Sequence, residues 1–598
     1  MRREEVLRNH WFFSQEVGKE DALAPDFQRE NWQAIQVPHD WSIYNDFDQY
    51  SPAQNEGGQL NGGQAWYRTQ FYLEEDASLV SVRLLFDGVY MNAQVYINGQ
   101  VLGYYPNGYT PFSYDITPYL RNDGTANQLA VFVENQQPSS RWYSGSGIYR
   151  EVQLLITDSV HLDLYGIKIE SPKLKEQRDG WVETQLTSKV SNDGSQSVSV
   201  YLEQSIWYDG QQLSDWQATD SEMIESGEKH YFKQGISIFQ PLLWDIDHPH
   251  LYQLKTRLYK NGILVDEEEE TFGYRYMDWQ ADKGFFLNGR WLKIHGVCLH
   301  HDYGSLGAVE NRSAAKRRLR QMKEMGVNAI RITHNPASSI LLDVATKMGL
   351  LIQEEAFDTW YGGKKEYDYG RFFEEEATHP EAKAGDFWSD YDLRIMIERG
   401  KNNPAIIMWS LGNEVSEANG DAHSLKTIKR LLERVKEVDD SRFVTMGMDQ
   451  FRFGDGSGGH EKIADLLDVV GLNYSEDNID GIRKRHPKWR LYGSETSSAT
   501  RTRDSYFRPD KEWVGDNRRV RNFEQSDYGN DRVPWGKTAT ASWIADRNRL
   551  DYAGQFIWTG VDYIGEPTPW HNQNDTPVKS SYFGIVDTAG IPKNDYYL

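Results

Sequence analysis

Hydrophobic and polar positions alternate in short runs through the first part of the chain. Ala65-Trp66-Tyr67-Arg68-Thr69-Gln70-Phe71, Val80 to Phe86 and Ala93-Gln94-Val95-Tyr96-Ile97 each have strand length, and turn residues separate them. Asn98-Gly99 follows the last run, and both residues tolerate the positive φ that a type I′ hairpin requires. This rhythm predicts an all-β, jelly-roll-like sandwich over residues 1–160. Residues 161–275 repeat it, with Trp181 to Val190, Val198 to Ile206 before Tyr208-Asp209-Gly210, and Leu251 to Tyr259 before Asn261-Gly262. A second sandwich of immunoglobulin size is expected there. The acidic run Asp266 to Glu270 reads as a solvated edge strand near its end.

After Tyr276 the period changes. Continuous apolar runs now alternate with helical spacing: Leu292 to Leu299, then a helix capped by Ser313 with Ala315, Leu319, Met322 and Met325 on one face, then Ala329 to Thr333 and a helix over Ile340 to Met348. Further strands are predicted at Leu351–Phe357, Ala405–Leu411, Phe443–Met448, Val469–Tyr474, Arg490–Glu495 and Gly554–Thr559, with helices such as Leu425–Val438 and Thr538–Arg549 between them. Eight βα units in about 320 residues, with strands apolar on both faces, predict a (β/α)₈ TIM barrel over residues 276–598. The sequence reaches Leu598 before an eighth helix of ordinary length, so a barrel cropped at its last helix is expected.

Charge and composition narrow the function. A formal charge of −24 repels phosphate backbones and anionic lipid headgroups, which argues against nucleic-acid partners. No window approaches 18 uncharged apolar residues, so membrane insertion is not expected. The first residues carry no apolar stretch, which fits a cytoplasmic chain, or a secreted or cell-surface one if a leader has been trimmed. One cysteine, Cys298, excludes an internal disulfide; lying within an apolar strand, it reads as core. Oligomeric state is left open, a homo-oligomer included.

In such a barrel the C-terminal ends of the strands face the active site. Strand four ends in Asn413-Glu414 and strand seven in Glu495; the others end in His300-His301-Asp302, His334-Asn335, Glu355 with Asp358, Asn473-Tyr474 and Trp558. A lone Asn-Glu at a strand end is ordinarily a cap or a loop ion pair. Here all but one of the predicted strand ends carry a polar or aromatic side chain while the strand interiors are apolar. Two carboxylates over the barrel mouth suit glycoside hydrolysis, which places them about 5–5.5 Å apart when configuration is retained and about 6.5–9.5 Å apart when it is inverted. Asn413 beside Glu414 suits a sugar 2-hydroxyl, and Tyr474 suits an ionised nucleophile. Trp558, Trp360 and Trp570 offer flat apolar faces to a pyranose ring. The histidines suit sugar hydroxyls better than a metal, since no HExxH or cysteine-bearing zinc spacing accompanies them.

At these residues the chain resembles family 2 of the glycoside hydrolases, and within it the β-galactosidases. The similarity spans Val37-Pro38-His39-Asp40-Trp41, Gly108-Tyr109-Thr110-Pro111-Phe112 and Arg141 to Arg150 in the first domain. In the barrel it takes in Gly296 to Asp302, Arg331 to Pro336, Trp409 to Glu414, Gly493-Ser494-Glu495 and Phe556 to Gly560. The resemblance implies a retaining, exo-acting β-galactosidase with Glu495 as nucleophile and Glu414 as acid/base. It also implies that Asp302, His334, Asn413, Tyr474 and Trp558 line the galactose subsite, with Arg141 reaching in from the first domain; Asp358 and Trp360, after strand three, are expected to bind substrate as well. The expected partner is a β-galactoside oligosaccharide or glycan.

Two departures bear on these expectations. Large members of the family hold a magnesium ion through the acid/base glutamate plus an acid and a histidine after strand three. Here that segment reads Glu355-Ala356-Phe357-Asp358-Thr359-Trp360, with Trp360 near the histidine's place, so no metal or other cofactor is expected. The family's β-glucuronidases clamp the sugar carboxylate with an Asn-x-Lys motif, and no Asn after Glu495 has Lys two residues later. The alternatives are another family 2 β-glycosidase, a β-glucuronidase or β-mannosidase, and a carbohydrate-binding protein that has lost the chemistry.

Overall fold

The structure is a computed structural model that describes residues 1–25, 30–76, 79–454, 457–515, 523–570 and 576–593. The first domain is an antiparallel sandwich. One sheet orders Arg3–Val6, Val152–Asp158, Val80–Phe86 and Phe112–Asp115; the other orders Gln33–Ile35, Trp11–Ser14, Gly63–Phe71, Asn127–Asn135, Ala93–Ile97 and Gln100–Tyr105. Alternation explains the fold locally, since Val82, Leu84 and Phe86 are fully buried between the sheets while Arg83 and Leu85 are only partly so. Asn98 and Gly99, at φ 49° and 81°, close the expected two-residue hairpin.

The second domain pairs Val160–Glu170, Trp181–Asn192 and Lys229–Phe239 in one sheet and builds the other around Val198–Tyr208, Tyr252–Lys260 and Ile263–Phe272. Along Trp181–Asn192 every second residue from Val182 to Val190 is buried, the signature of a sheet with one dry face. Ile263–Phe272 is an edge strand as expected, but its acids are not all solvated. Asp266 is fully buried because it accepts from the Arg2 guanidinium and from the Leu162 N–H, tying the chain's first residues to this domain.

Eight parallel strands close the barrel: β1 (Ile294–Leu299), β2 (Ala329–Ile332), β3 (Leu351–Glu355), β4 (Ile406–Asn413), β5 (Phe443–Met448), β6 (Val470–Asn473), β7 (Leu491–Ser497) and β8 (Tyr552–Trp558). β8 pairs with both β7 and β1. Ile406, Ile407, Met408 and Trp409 are consecutive and fully buried, because one face packs inside the barrel and the other under the helices. Each such aliphatic side chain contributes about 1.5–3 kcal/mol relative to exposure. The helix after β1 runs Arg312–Glu324, and its cap is Asn311, not Ser313. The Asn311 carboxamide oxygen accepts from the N–H groups of Ser313 and Ala314, a bond that a serine already inside the first turn cannot make to itself. Among the described residues no helix follows β8.

The first domain sits on the barrel mouth. The buried Arg150 guanidinium donates to the carbonyls of Tyr109 in its own domain and of Pro336 and Ala337 in the barrel, clamping the two together just beyond β2.

Candidate active site

A cavity of about 250 Å³ opens above the C-terminal ends of the strands. Its walls include Glu414, Glu495, Asn413, His334, Tyr474 and Trp558 from the barrel, and Glu56 and Arg141 from the first domain. Six of the barrel side chains predicted for the site therefore meet around one space.

Its floor is organised by Arg331, the one charged residue of the apolar strand β2, fully buried. Its guanidinium donates to Glu355 Oε1 and Oε2 at 3.0 and 2.9 Å, to Glu495 Oε1 at 2.8 Å and to Asn413 Oδ1 at 2.9 Å. One cation thus spans two buried carboxylates. The other oxygen of Glu495 accepts from the Tyr474 hydroxyl at 2.7 Å, so both are held. Burial pushes the Glu495 carboxyl up to about 8; Arg331 opposes that rise, the charge of Glu414 adds to it, and the Tyr474 bond works against it. Glu495 and Glu414 are accordingly within electrostatic reach of each other.

Glu414 has a different setting. It is only half-buried, and its Oε1 accepts from the Asn473 amide at 3.0 Å. Its backbone stands at φ 44°, with its N–H bonded to Gly447 O. His334 lies between the two elements of the floor. Burial, reinforced by Arg331, pushes its pKa well down, so the ring is neutral; with Nδ1–H donated to Glu355 Oε1 at 2.7 Å, Nε2 is left as an acceptor. The Trp558 ring stacks on it at 5.4 Å and 6°.

Other expected residues stand elsewhere. Trp360 is fully buried, its indole N–H donating to Leu411 O and its ring stacked on Phe373, so it supports the barrel rim and gives no face to a sugar. Trp570 is also buried, edge-on to Tyr582 and Phe523. Asp302 is buried behind the wall, accepting from the Gly304 N–H, and His300 and His301 are likewise enclosed, His301 against Ser144 O. Asp358 reaches the rim as the partner of Arg141 at 2.8 Å and of the Lys364 ammonium at 2.9 Å, and the two cations hold it well below the usual carboxylate range despite its burial. Lys364 also donates to the Asn413 carbonyl at 2.7 Å. Cys298 is buried core, as expected, beneath Arg331 and Ser494 O.

Several wall residues went unforeseen: Glu56, Arg452, Trp535, Glu566, Thr568 and Phe583, together with Arg331 underneath. Arg331 carried a usable signal, because a lone arginine inside an otherwise apolar barrel strand must find carboxylates. Glu56 carried none, lying in an irregular stretch of another domain.

A closed parallel barrel with paired carboxylates at its C-terminal mouth, roofed by a β-sandwich, has the form of a glycoside hydrolase. Comparison with known proteins agrees. The description "Glycosyl hydrolases family 2, TIM barrel domain" matches residues 280–581, the family's sugar binding domain matches residues 6–158, and a third family 2 description matches residues 163–275. The chain is 38% identical to the β-galactosidase BoGH2A of Bacteroides ovatus over 96% of its own length and 69% of that protein's. It is 26% identical to a β-glucuronidase of Bacteroides fragilis over 83% of this chain and 68% of that one. A crystal structure of a glycosyl hydrolase family 2 member from Bacteroides cellulosilyticus covers all of this chain with a TM-score of 0.86 at 29% identity, the chain spanning 70% of that protein. Of another relative the chain spans 55%. The chain belongs to glycoside hydrolase family 2 and is a glycosidase of that family.

Proposed function

We propose that the protein is a retaining, exo-acting β-galactosidase in which Glu495 is the nucleophile and Glu414 the acid/base. The observation that carries this reading is the unequal treatment of the two carboxylates. Glu495 is enclosed and gripped at both oxygens by Arg331 and Tyr474, which suits an anion that must be aimed at one atom. Glu414 is more open and lightly held, which suits a group that alternates between giving and taking a proton. A Glu495 oxygen attacks the anomeric carbon as the bond to the leaving oxygen breaks, and Glu414 delivers its proton to that oxygen. Water, deprotonated by Glu414, then attacks the glycosyl ester and frees Glu495. Asn413 and the Nε2 of His334 are suited to the sugar hydroxyls, and Trp558 to a face of the ring.

The cavity's modest volume supports cleavage from a chain end, one sugar at a time. A neutral sugar is favoured over a uronide because four carboxyl groups, Glu56, Glu414, Glu495 and Glu566, line the cavity with two guanidiniums, Arg141 and Arg452, and the burial that raises Glu495 and Glu566 shows how poorly this space tolerates a further negative charge. The likeness to a β-galactosidase at 38% identity points the same way. Where the resemblance would put a magnesium ion, the donor set does not fit one. The Trp360 indole replaces the imidazole and is spent on Leu411 O, while Asp358 is already neutralised by Arg141 and Lys364. We therefore expect a chelator to leave the rate unchanged.

Turnover of nitrophenyl β-galactoside, β-glucuronide and β-mannoside tests the assignment, with Glu495→Gln and Glu414→Ala as controls. The expected result is the highest kcat/KM on the galactoside, almost none for Glu495→Gln, and a loss of about 10²–10⁴-fold for Glu414→Ala that shrinks with better leaving groups. A faster rate on the glucuronide, or normal turnover by Glu495→Gln, refutes it.

A further inference from the structure

Three side chains on the cavity wall share an uncommon backbone. Glu414, Tyr474 and Glu566 stand at φ 44°, 52° and 43°. Non-glycine residues persist in that left-handed region only where the surroundings overdetermine them, and such positions gather at functional sites. The mechanism above occupies Glu414 and Tyr474. It gives Glu566 nothing to do.

Glu566 is nevertheless held as firmly as the other two. Its N–H donates to Glu56 O at 3.1 Å, and the preceding Gly565 N–H donates to Lys579 O at 2.9 Å. Gly565, at φ 91°, allows this approach, since a Cβ there would collide with the Glu56 carbonyl. Just upstream, Ile564 O accepts from the Tyr143 N–H of the first domain at 3.1 Å. The carboxylate takes the Tyr563 hydroxyl on Oε2, and no other hydrogen bond reaches it among the described residues. Arg141, the cation that bears on it, is committed to Asp358. Burial raises its pKa, with Tyr563 and Arg141 only partly opposing. A carboxyl group fixed in a cavity wall, with acceptor capacity unspent and no cation of its own, is equipped to meet hydroxyl groups and to repel an anion.

Resting on the galactosidase reading, we propose that Glu566 determines specificity: it accepts hydrogen bonds from the hydroxyls of a neutral hexopyranoside and excludes sugars that carry a carboxylate. The chemistry needs no change of bond at Glu566.

The test compares the full-length enzyme with Glu566→Gln on nitrophenyl β-galactoside, its 3-, 4- and 6-deoxy analogues and nitrophenyl β-glucuronide. The variant should lose about 10- to 100-fold in kcat/KM on the galactoside, the scale of a hydrogen bond to a charged group. The wild type should lose a similar factor on one deoxy analogue, and on that analogue the variant should lose nothing further. Measured at pH 8, above the value of about 7 to which burial raises Glu566, the glucuronide-to-galactoside ratio should rise at least about tenfold once the negative charge is removed. A loss spread equally over all these substrates overturns the proposal, as does an unchanged ratio. If Glu566→Gln does not fold, Tyr563→Phe, which keeps the carboxylate but frees its Oε2, should alter the same deoxy-analogue pattern, and an unaltered pattern is equally fatal. Failure of the underlying reading is seen separately, in a wild type that does not turn over the galactoside or in an active Glu495→Gln enzyme.

Discussion

Replacing the proposed nucleophile should make the protein more stable. Arg331 faces two buried carboxylates, so the group Arg331–Glu355–Glu495 carries one uncompensated negative charge in the barrel floor when all three are ionised. The rise of the Glu495 carboxyl from 4.5 to about 8 expresses that cost. At 1.36 kcal/mol per unit, ionising Glu495 in the folded protein is disfavoured by about 5 kcal/mol relative to the unfolded chain. Because the folded state binds this proton more tightly, the associated stability is fully present below the unfolded value and disappears as the pH climbs through about 8. Glu495→Gln mimics the protonated side chain and escapes that loss. Allowing for one misdirected N–H among Tyr474 and Arg331, which costs the same at every pH, the variant should exceed the wild type by about 2–4 kcal/mol at pH 9 and fall about 0–2 kcal/mol below it near pH 4.5. Urea denaturation followed by tryptophan fluorescence across this range measures the difference, and subtraction removes the titrating groups that are not coupled to Glu495. A gap that is constant with pH, or a variant less stable than the wild type at pH 9, refutes the electrostatic reasoning.

Removing the cation should do the opposite: Arg331→Met leaves Glu355 and Glu495 buried without their partner and should cost about 3–5 kcal/mol, measured as a shift in denaturation midpoint. Glu414→Gln removes the like charge that raises Glu495, so the acid limb of the pH–kcat/KM profile, read on an activated aryl galactoside, should move to lower pH; an unmoved limb argues that the two carboxylates do not communicate. Trp360→Phe should lower stability by about 1–2 kcal/mol through the lost bond to Leu411 O while kcat/KM stays within about twofold. Trp558→Phe should instead act mainly on kcat/KM, and a reversal of the two effects would return Trp360 to the sugar site.

Much of this site was legible because barrels convert strand ends into neighbours. Once Ile406 to Leu411 reads as a buried strand, Asn413 and Glu414 must emerge at the mouth, and the same logic delivers Glu495, Tyr474 and Trp558. The logic fails several residues further out. Trp360 lies beyond β3 in an irregular segment whose path no periodicity specifies, and there its indole turns under the rim. Trp570 follows β8 in the same way. Asn311 and Ser313 were separated by a finer rule, since either can cap and only the geometry of the first turn chooses. Glu56 and Glu566 were hidden for a stronger reason. They meet through hydrogen bonds between backbones in different domains, a relation with no period in the sequence. The loop over residues 501–535, expected to shape the aglycone subsites, lies partly outside the described residues.

That Glu56 and Arg141 enter the cavity from the sandwich has a kinetic consequence. A barrel can regain its secondary structure and its tryptophan environment before the first domain has folded and docked, because domains of this size fold as units. Activity would then return only with the slower of the two events. Enzymatic rate during refolding becomes a clock for domain docking, and a lag between recovered fluorescence and recovered turnover is the time Arg150 takes to find Pro336 and Ala337.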